Sequence, residues 1–127
     1  MQDTILRAAT AQIEETNRHP AAQPVIRTFF DESTFTATHV VHDPVTRKAA
    51  VIDSVMDYDA ASGRTNTASA EAIVAYVEKE GLEVEWQLET HAHADHLSAA
   101  PWLQERLGGK LAIGEKIKTV QGVFGKI

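Results

Sequence analysis

The 127 residues are 43% hydrophobic and 24% charged, the range of one ordinary globular domain able to bury a true core. Zero cysteines exclude disulfides and thiolate ligation, so any metal must be held by nitrogen and oxygen. A formal net charge of −6 argues against nucleic acid as a partner, and the lack of any long apolar run or signal-type start leaves a cytoplasmic protein without membrane contacts as the expectation.

Residues 3–17, "DTILRAATAQIEETN", have weak helical spacing through Ile5, Leu6, Ala9 and Ile13 and run into "RHPAAQP". Residues 1–23 are therefore expected to be a helix and linker. Three β-rich runs follow at 25–30 ("VIRTFF"), 34–41 ("TFTATHVV") and 49–55 ("AAVIDSV"), with an Asp43-Pro44 turn, and suggest three antiparallel strands. "DYDAASGRTNT" (57–67) reads as a loop by composition. Thr67 or Ser69 can then cap a helix with Ala70, Ile73, Val74 and Val77 on one face, ended by Gly81.

"LEVEWQLET" (82–90) alternates, which predicts a strand with Leu82, Val84, Trp86 and Leu88 on one face. Ser98 can cap a helix through Leu107, with Pro101 in its first turn and Gly108-Gly109 after it. "KLAIG" (110–114) reads as a short strand and the remainder as a helix or loop. The order β-β-β-α-β-α-β-(α) makes this an α/β layered domain.

The chemistry concentrates in "ETHAHADHL" (89–97), where His91, His93, Asp95 and His96 fall within six consecutive positions at a strand's carboxyl end. In extended chain His91 and His93 point to the same side and can share an ion, while Asp95 and His96 can turn to a neighbouring position. The two histidines four apart that serve a helical metalloprotease are missing. The run therefore describes a loop that either splits its ligands between two metals or holds one metal beside a general base, with Asp95 the candidate catalytic residue. Residues 80–96 add Glu80, Glu83, Glu85 and Glu89 with no Lys or Arg, an approach that suits a cation although a solvated strand face explains it as well. His39 and His42 are expected to be structural or surface residues and His19 part of the linker. Asp57, Tyr58 and Asp59 are read as loop residues. Asp53 ends a strand as the motif does; a structural strand-end acid is the first expectation, and a place near the metal site the second.

"THAHADH" resembles the HxHxDH signature of the metallo-β-lactamase-fold superfamily, and "VIDSVMDYDAASGRTNT" and "HLSAAPWLQERLGGKLAIGEKI" resemble its glyoxalase II and persulfide dioxygenase branch, including β-lactamase hydrolase-like proteins. The resemblance spans residues 24–127. It implies an αββα sandwich, a mixed sheet with flanking helices, of which this chain is similar to the amino-terminal half. It further implies that in hydrolytic members His91 and His93 bind one metal and Asp95 and His96 a second, with a bridging water as nucleophile. In the dioxygenase branch it implies His91 as an Fe(II) ligand, joined by a later histidine and a later aspartate.

No histidine follows His96 and no aspartate follows Asp95, which predicts an incomplete site of weak metal affinity and a chain that alone is weak or inactive. Three functions follow as expectations. The parent protein is an Fe(II) persulfide dioxygenase that converts glutathione persulfide to sulfite, or a di-zinc hydrolase of thioesters or β-lactams. Failing both, the chain is a non-catalytic oligomerising module, since a missing half leaves an apolar sheet edge exposed to a second copy or a complementing chain.

Overall fold

Two sheets form in the computed structural model, which describes residues 2–18, 23–59, 61–92 and 97–124. After helix α1 (Gln2–Arg18), β1 (Val25–Asp31), β2 (Thr36–His42) and β3 (Lys48–Ile52) pair antiparallel, as their alternation predicts. The sheet then continues in parallel through β6 (Glu83–Glu89) and β8 (Lys110–Ile113), in the order β1-β2-β3-β6-β8. Parallel neighbours require crossovers, here through α2 (Ala68–Glu80) and α3 (Ala100–Leu107). Both crossover helices cover the same face. Val40, Val51 and Val84 of the strands meet Ala70, Ile73 and Val77 of α2 and Leu103 of α3 in one buried cluster. The α/β class and the mixed sheet with flanking helices agree with the sequence.

Four details depart from it. The run 49–55 is not one strand: β3 stops at Ile52, Asp53 and Ser54 turn the chain, and β4 (Val55–Asp59) joins a second sheet. That sheet also overturns the reading of 57–67 as a loop. Asp57 and Asn66 face each other in a hairpin of β4 with β5 (Arg64–Asn66), and β7 (Leu97–Ser98) pairs on the other edge of β4. Turn residues are visible in the composition, but the pairing of their flanks depends on a neighbouring strand more than 40 residues away in sequence, since Val55 lies opposite Ser98 and Met56 opposite Leu97.

The third departure lies in β6. Between Ala49 and Ala50 the register slips, so Ala49 faces Val84 whereas Ala50 faces Trp86. One extra residue in β6 inverts every later side chain. Trp86 and Leu88 therefore leave the face of Val84, and Gln87 takes the core position with 0% exposure. The bulge also brings Glu85 Oε1 to 3.1 Å from Lys48 Nζ, and that hydrogen bond and charge hold the Lys48 ammonium above the ordinary lysine range.

α2 has a different start from the one predicted. Thr67 occupies the cap position but makes no side-chain cap bond. Instead the Asp57 carboxylate on β4 accepts the Ser69 amide at 2.7 Å and the Ser69 hydroxyl at 2.5 Å, and Asn66 Oδ1 accepts the Ala68 amide at 3.0 Å. The end is as predicted: Gly81 is left-handed, its amide bonds Glu78 O at 3.1 Å, and the Leu82 amide reaches Val77 O at 3.0 Å. A last helix, α4 (Ile117–Phe124), follows β8. Among the described residues no helix is long and apolar enough to cross a membrane.

Candidate metal centre

β6 lies between β3 and β8, and its carboxyl end delivers Thr90 and His91 directly. The neighbouring strand β3 ends one residue before Asp53, whose amide bonds Leu88 O at 2.9 Å. Asp53 sits at φ +55°, a left-handed conformation that aspartate tolerates better than most residues. Thr38 Oγ1 on β2 donates to Asp53 O at 2.8 Å and helps to hold that turn. The resulting carboxylate points across to the next strand end.

There Asp53 Oδ1 accepts the Thr90 amide at 2.8 Å and Oδ2 accepts the Thr90 hydroxyl at 2.6 Å. Thr90 Oγ1 also lies 2.7 Å from His91 Nδ1. A hydroxyl has a single hydrogen, and an ionised carboxylate can only accept, so the Thr90 hydrogen goes to Asp53. With that hydrogen spent on Asp53, Thr90 Oγ1 can serve His91 only as an acceptor, which favours a ring protonated at Nδ1. This tautomer carries its lone pair on Nε2, the atom that can bind a metal. The arrangement is the carboxylate–histidine pairing of metal sites with a threonine hydroxyl inserted.

The far stem of the run is fixed as well. Ser98 Oγ donates to Glu89 Oε1 and accepts the Ala100 amide at 3.0 Å, but the cap position of α3 is Ala99, which makes no side-chain cap bond, so Ser98 stands one residue before the place expected of it. The Ala99 amide bonds Ser54 O at 3.3 Å. Thus Thr90 and Ala99, on either side of the run, are both tied to the Asp53-Ser54 turn.

Of the expected ligands, His91 is exposed at this strand end, while His93, Asp95 and His96 lie outside the described residues. Among the described residues no three His, Asp or Glu side chains converge on one ion. The described part of the run offers one exposed imidazole, a nitrogen donor of the kind that metal sites use. His39 is structural, with Nδ1 at 2.9 Å from Thr28 Oγ1 across the β1–β2 pair, and His42 is buried in β2, as expected of both. His19 is outside the described residues. Asp57 serves α2. The sequence points to Asp53 as a possible neighbour of the site and to Glu89 as part of an acidic approach, but not to Thr90, whose only signal is adjacency to the histidines.

The sequence model of the metallo-beta-lactamase superfamily matches residues 35–126. A beta-lactamase hydrolase-like protein of Agrobacterium fabrum is 50% identical over 119 residues, which cover 94% of this chain and 27% of that protein. The human mitochondrial persulfide dioxygenase ETHE1 is 26% identical over 122 residues, 95% of this chain and 43% of the enzyme. Among solved structures, ETHE1 from Myxococcus xanthus superposes with a TM-score of 0.57 at 28% identity, covering 68% of this chain and 34% of that one. The chain thus spans less than half the length of either curated relative. Because the superfamily match takes in every strand from β2 onward together with the histidine run, the chain belongs to the metallo-β-lactamase superfamily.

Proposed function

We propose that this chain is the amino-terminal portion, from residue 24 onward, of a mononuclear Fe(II) persulfide dioxygenase that oxidises a thiol persulfide such as glutathione persulfide to sulfite and releases the thiol. The observation that carries the reading is the Asp53–Thr90–His91 relay, which holds one imidazole at a strand end in a chain related to ETHE1 over nearly its whole length. His91 would be an iron ligand, and the remaining histidine and carboxylate would come from further chain. Bound Fe(II) would supply the redox chemistry for oxygen. The chain's own residues would do the positioning: Asp53 fixes Thr90, and Thr90 fixes the His91 ring.

The second reading is a di-zinc hydrolase, favoured by the higher identity to a hydrolase-like protein and by the presence of all four of His91, His93, Asp95 and His96 as ligand types. In that reading Asp95 would hold the second metal with His96 and orient the attacking water.

The test loads the chain anaerobically with Fe(II) and measures oxygen uptake with glutathione persulfide, alone and with the carboxyl-terminal portion of the Agrobacterium relative supplied as a second polypeptide. Uptake with matching sulfite in the reconstituted pair, lost in His91→Ala, is expected. Cleavage of a glutathione thioester by the zinc-loaded pair, with no oxygen uptake in the iron form, would replace the dioxygenase by the hydrolase.

A further inference from the structure

We infer that the outer edge of β1 is an interface for a second copy of this chain, the two β1 strands pairing antiparallel about a two-fold axis at Phe29, with Arg27 of each copy opposite Asp31 of the other; the inference is independent of the metal reading. β1 lies at one end of the five-stranded sheet, and all seven of its residues, Val25 to Asp31, pair without a break to β2 on the inner side. A strand in an antiparallel ladder turns its N–H and C=O groups alternately to either side, so about half of those in β1 point away from β2. Among the described residues no strand meets them. Soluble proteins guard such an edge with lysine, proline, a bulge or brevity. The opposite edge does so, since β8 has four residues and starts at Lys110. β1, with the sequence VIRTFFD, has none of these guards.

Charge selects both the occupant and the register. With the helices of both copies on the same side of a joined sheet, residues opposite one another point to the same face, so β1 meets itself only in registers whose paired numbers are both odd or both even. An axis at Phe29 sets Arg27 opposite Asp31 twice by symmetry, Phe29 opposite Phe29, and Thr28 opposite Phe30. Moving the axis to Thr28 or Phe30 sets Arg27 against Phe29 or Ser33 and loses both charge pairs. Arg27 makes no ion pair among the described residues, and its guanidinium carbon lies 5.2 Å from the centre of the Phe29 ring. The Asp31 carboxylate is steadied by the Thr34 amide and hydroxyl, both bound at Oδ2, which leaves Oδ1 to accept. A groove of about 320 Å³ runs along Arg27 to Asp31 and is shared with Ser69, Ala72 and Ile73 of α2, so there is space beside the strand for side chains of the second copy. Exposed ion pairs are weak and here set the register, while the main-chain ladder and the Phe29 contact supply the attraction.

Sedimentation of the whole chain should show a monomer–dimer equilibrium that weakens in high salt, and hydrogen exchange of residues 25–31 should slow about tenfold from dilute to concentrated samples while 48–52 stays unchanged. Arg27→Glu and Asp31→Lys should each weaken self-association about tenfold or more, since each sets like charges opposite one another twice. An equimolar mixture of the two variants has opposite charges at both pairs and should recover wild-type association, which pairing of 27 with 31 requires. The chain contains no cysteine, so Thr28→Cys and Phe30→Cys chains mixed under oxidation report the same register, and the mixed disulfide should form faster than either symmetric one. That measurement decides the register should Asp31→Lys, which loses the Thr34 bonds, fail to fold. A chain that stays monomeric at its highest soluble concentration overturns the interface. A dimer with unaltered exchange at 25–31 also overturns it and moves the contact to the open sheet face around Trp86. Failure of the folded variants to rescue one another, or preferred symmetric disulfides, overturns the register.

Discussion

Asp53 adopts φ +55°, a backbone state that costs on the order of 1 kcal/mol or more for a residue with a Cβ, and its carboxylate receives both hydrogen-bonding groups of Thr90. Glycine would relieve the backbone and lose the carboxylate, so the position favours aspartate over the residue that fits its conformation best. Asp53→Ala should therefore lower stability by about 2–4 kcal/mol in urea unfolding, since it removes two charge-assisted bonds and keeps the conformational penalty. Asp53→Asn, which retains one carbonyl acceptor and tolerates the left-handed state, should lose roughly half as much. The deduced tautomer has its own check. Nitrogen-15 NMR of metal-free His91 should show the proton on Nδ1, and Thr90→Val should move the ring toward the Nε2-protonated form. Asp53 was half legible because a strand-end acid is a local signal. Its bond to a residue 37 positions away is not local, and no periodicity encodes it.

At the scale of elements, helices and strands with strong periodicity matched their predicted places, and the misses share one cause. Alternation in 82–90 was perfect on paper, yet the bulge in β6 transferred Trp86 to the opposite face and put Gln87 in the core. A bulge is decided by how the neighbouring strands fit together, which a single strand's pattern does not report. Gly109 reveals the fit: it sits at φ +91°, and a Cβ there would lie 3.1 Å from the Glu85 carbonyl carbon and 3.2 Å from the Trp86 nitrogen. Backbone contacts of that kind cannot swing away. Gly109→Ala should cost about 2–3 kcal/mol and loosen β8 against β6, read as faster exchange of the Leu111 and Ala112 amides. The start of α2 follows the same logic, because its cap comes from Asp57 in another sheet. Asp57→Ala should cost about 1–2 kcal/mol, whereas Thr67→Ala, at the position that local reasoning favoured, should be close to neutral.

At the scale of the whole molecule, α2 and α3 cover one face of the large sheet, while the register places Ile26, Val41 and Trp86 in one row across the other and Phe30 further along it. Ile26 and Phe30 are 60% exposed and Trp86 40%. Apolar surface therefore lies on a sheet face, whereas the expectation from the sequence was of an exposed sheet edge. Water-exposed rows of this kind on one sheet are what a second layer would cover, and a chain spanning under half of its curated relatives is in keeping with such a layer coming from further chain. The consequence for the isolated chain can be measured without knowing that partner. A hydrophobic fluorescent dye should bind it while folded, and the double change Ile26→Lys, Phe30→Lys should reduce that fluorescence severalfold with less than about 1 kcal/mol change in stability, because exposed apolar side chains contribute little to the fold they sit on. Sedimentation should report weaker self-association in the same variant. A large fall in stability with undiminished dye binding would instead mean that these two residues are packed within the fold, and the open face would have to be sought elsewhere on the molecule.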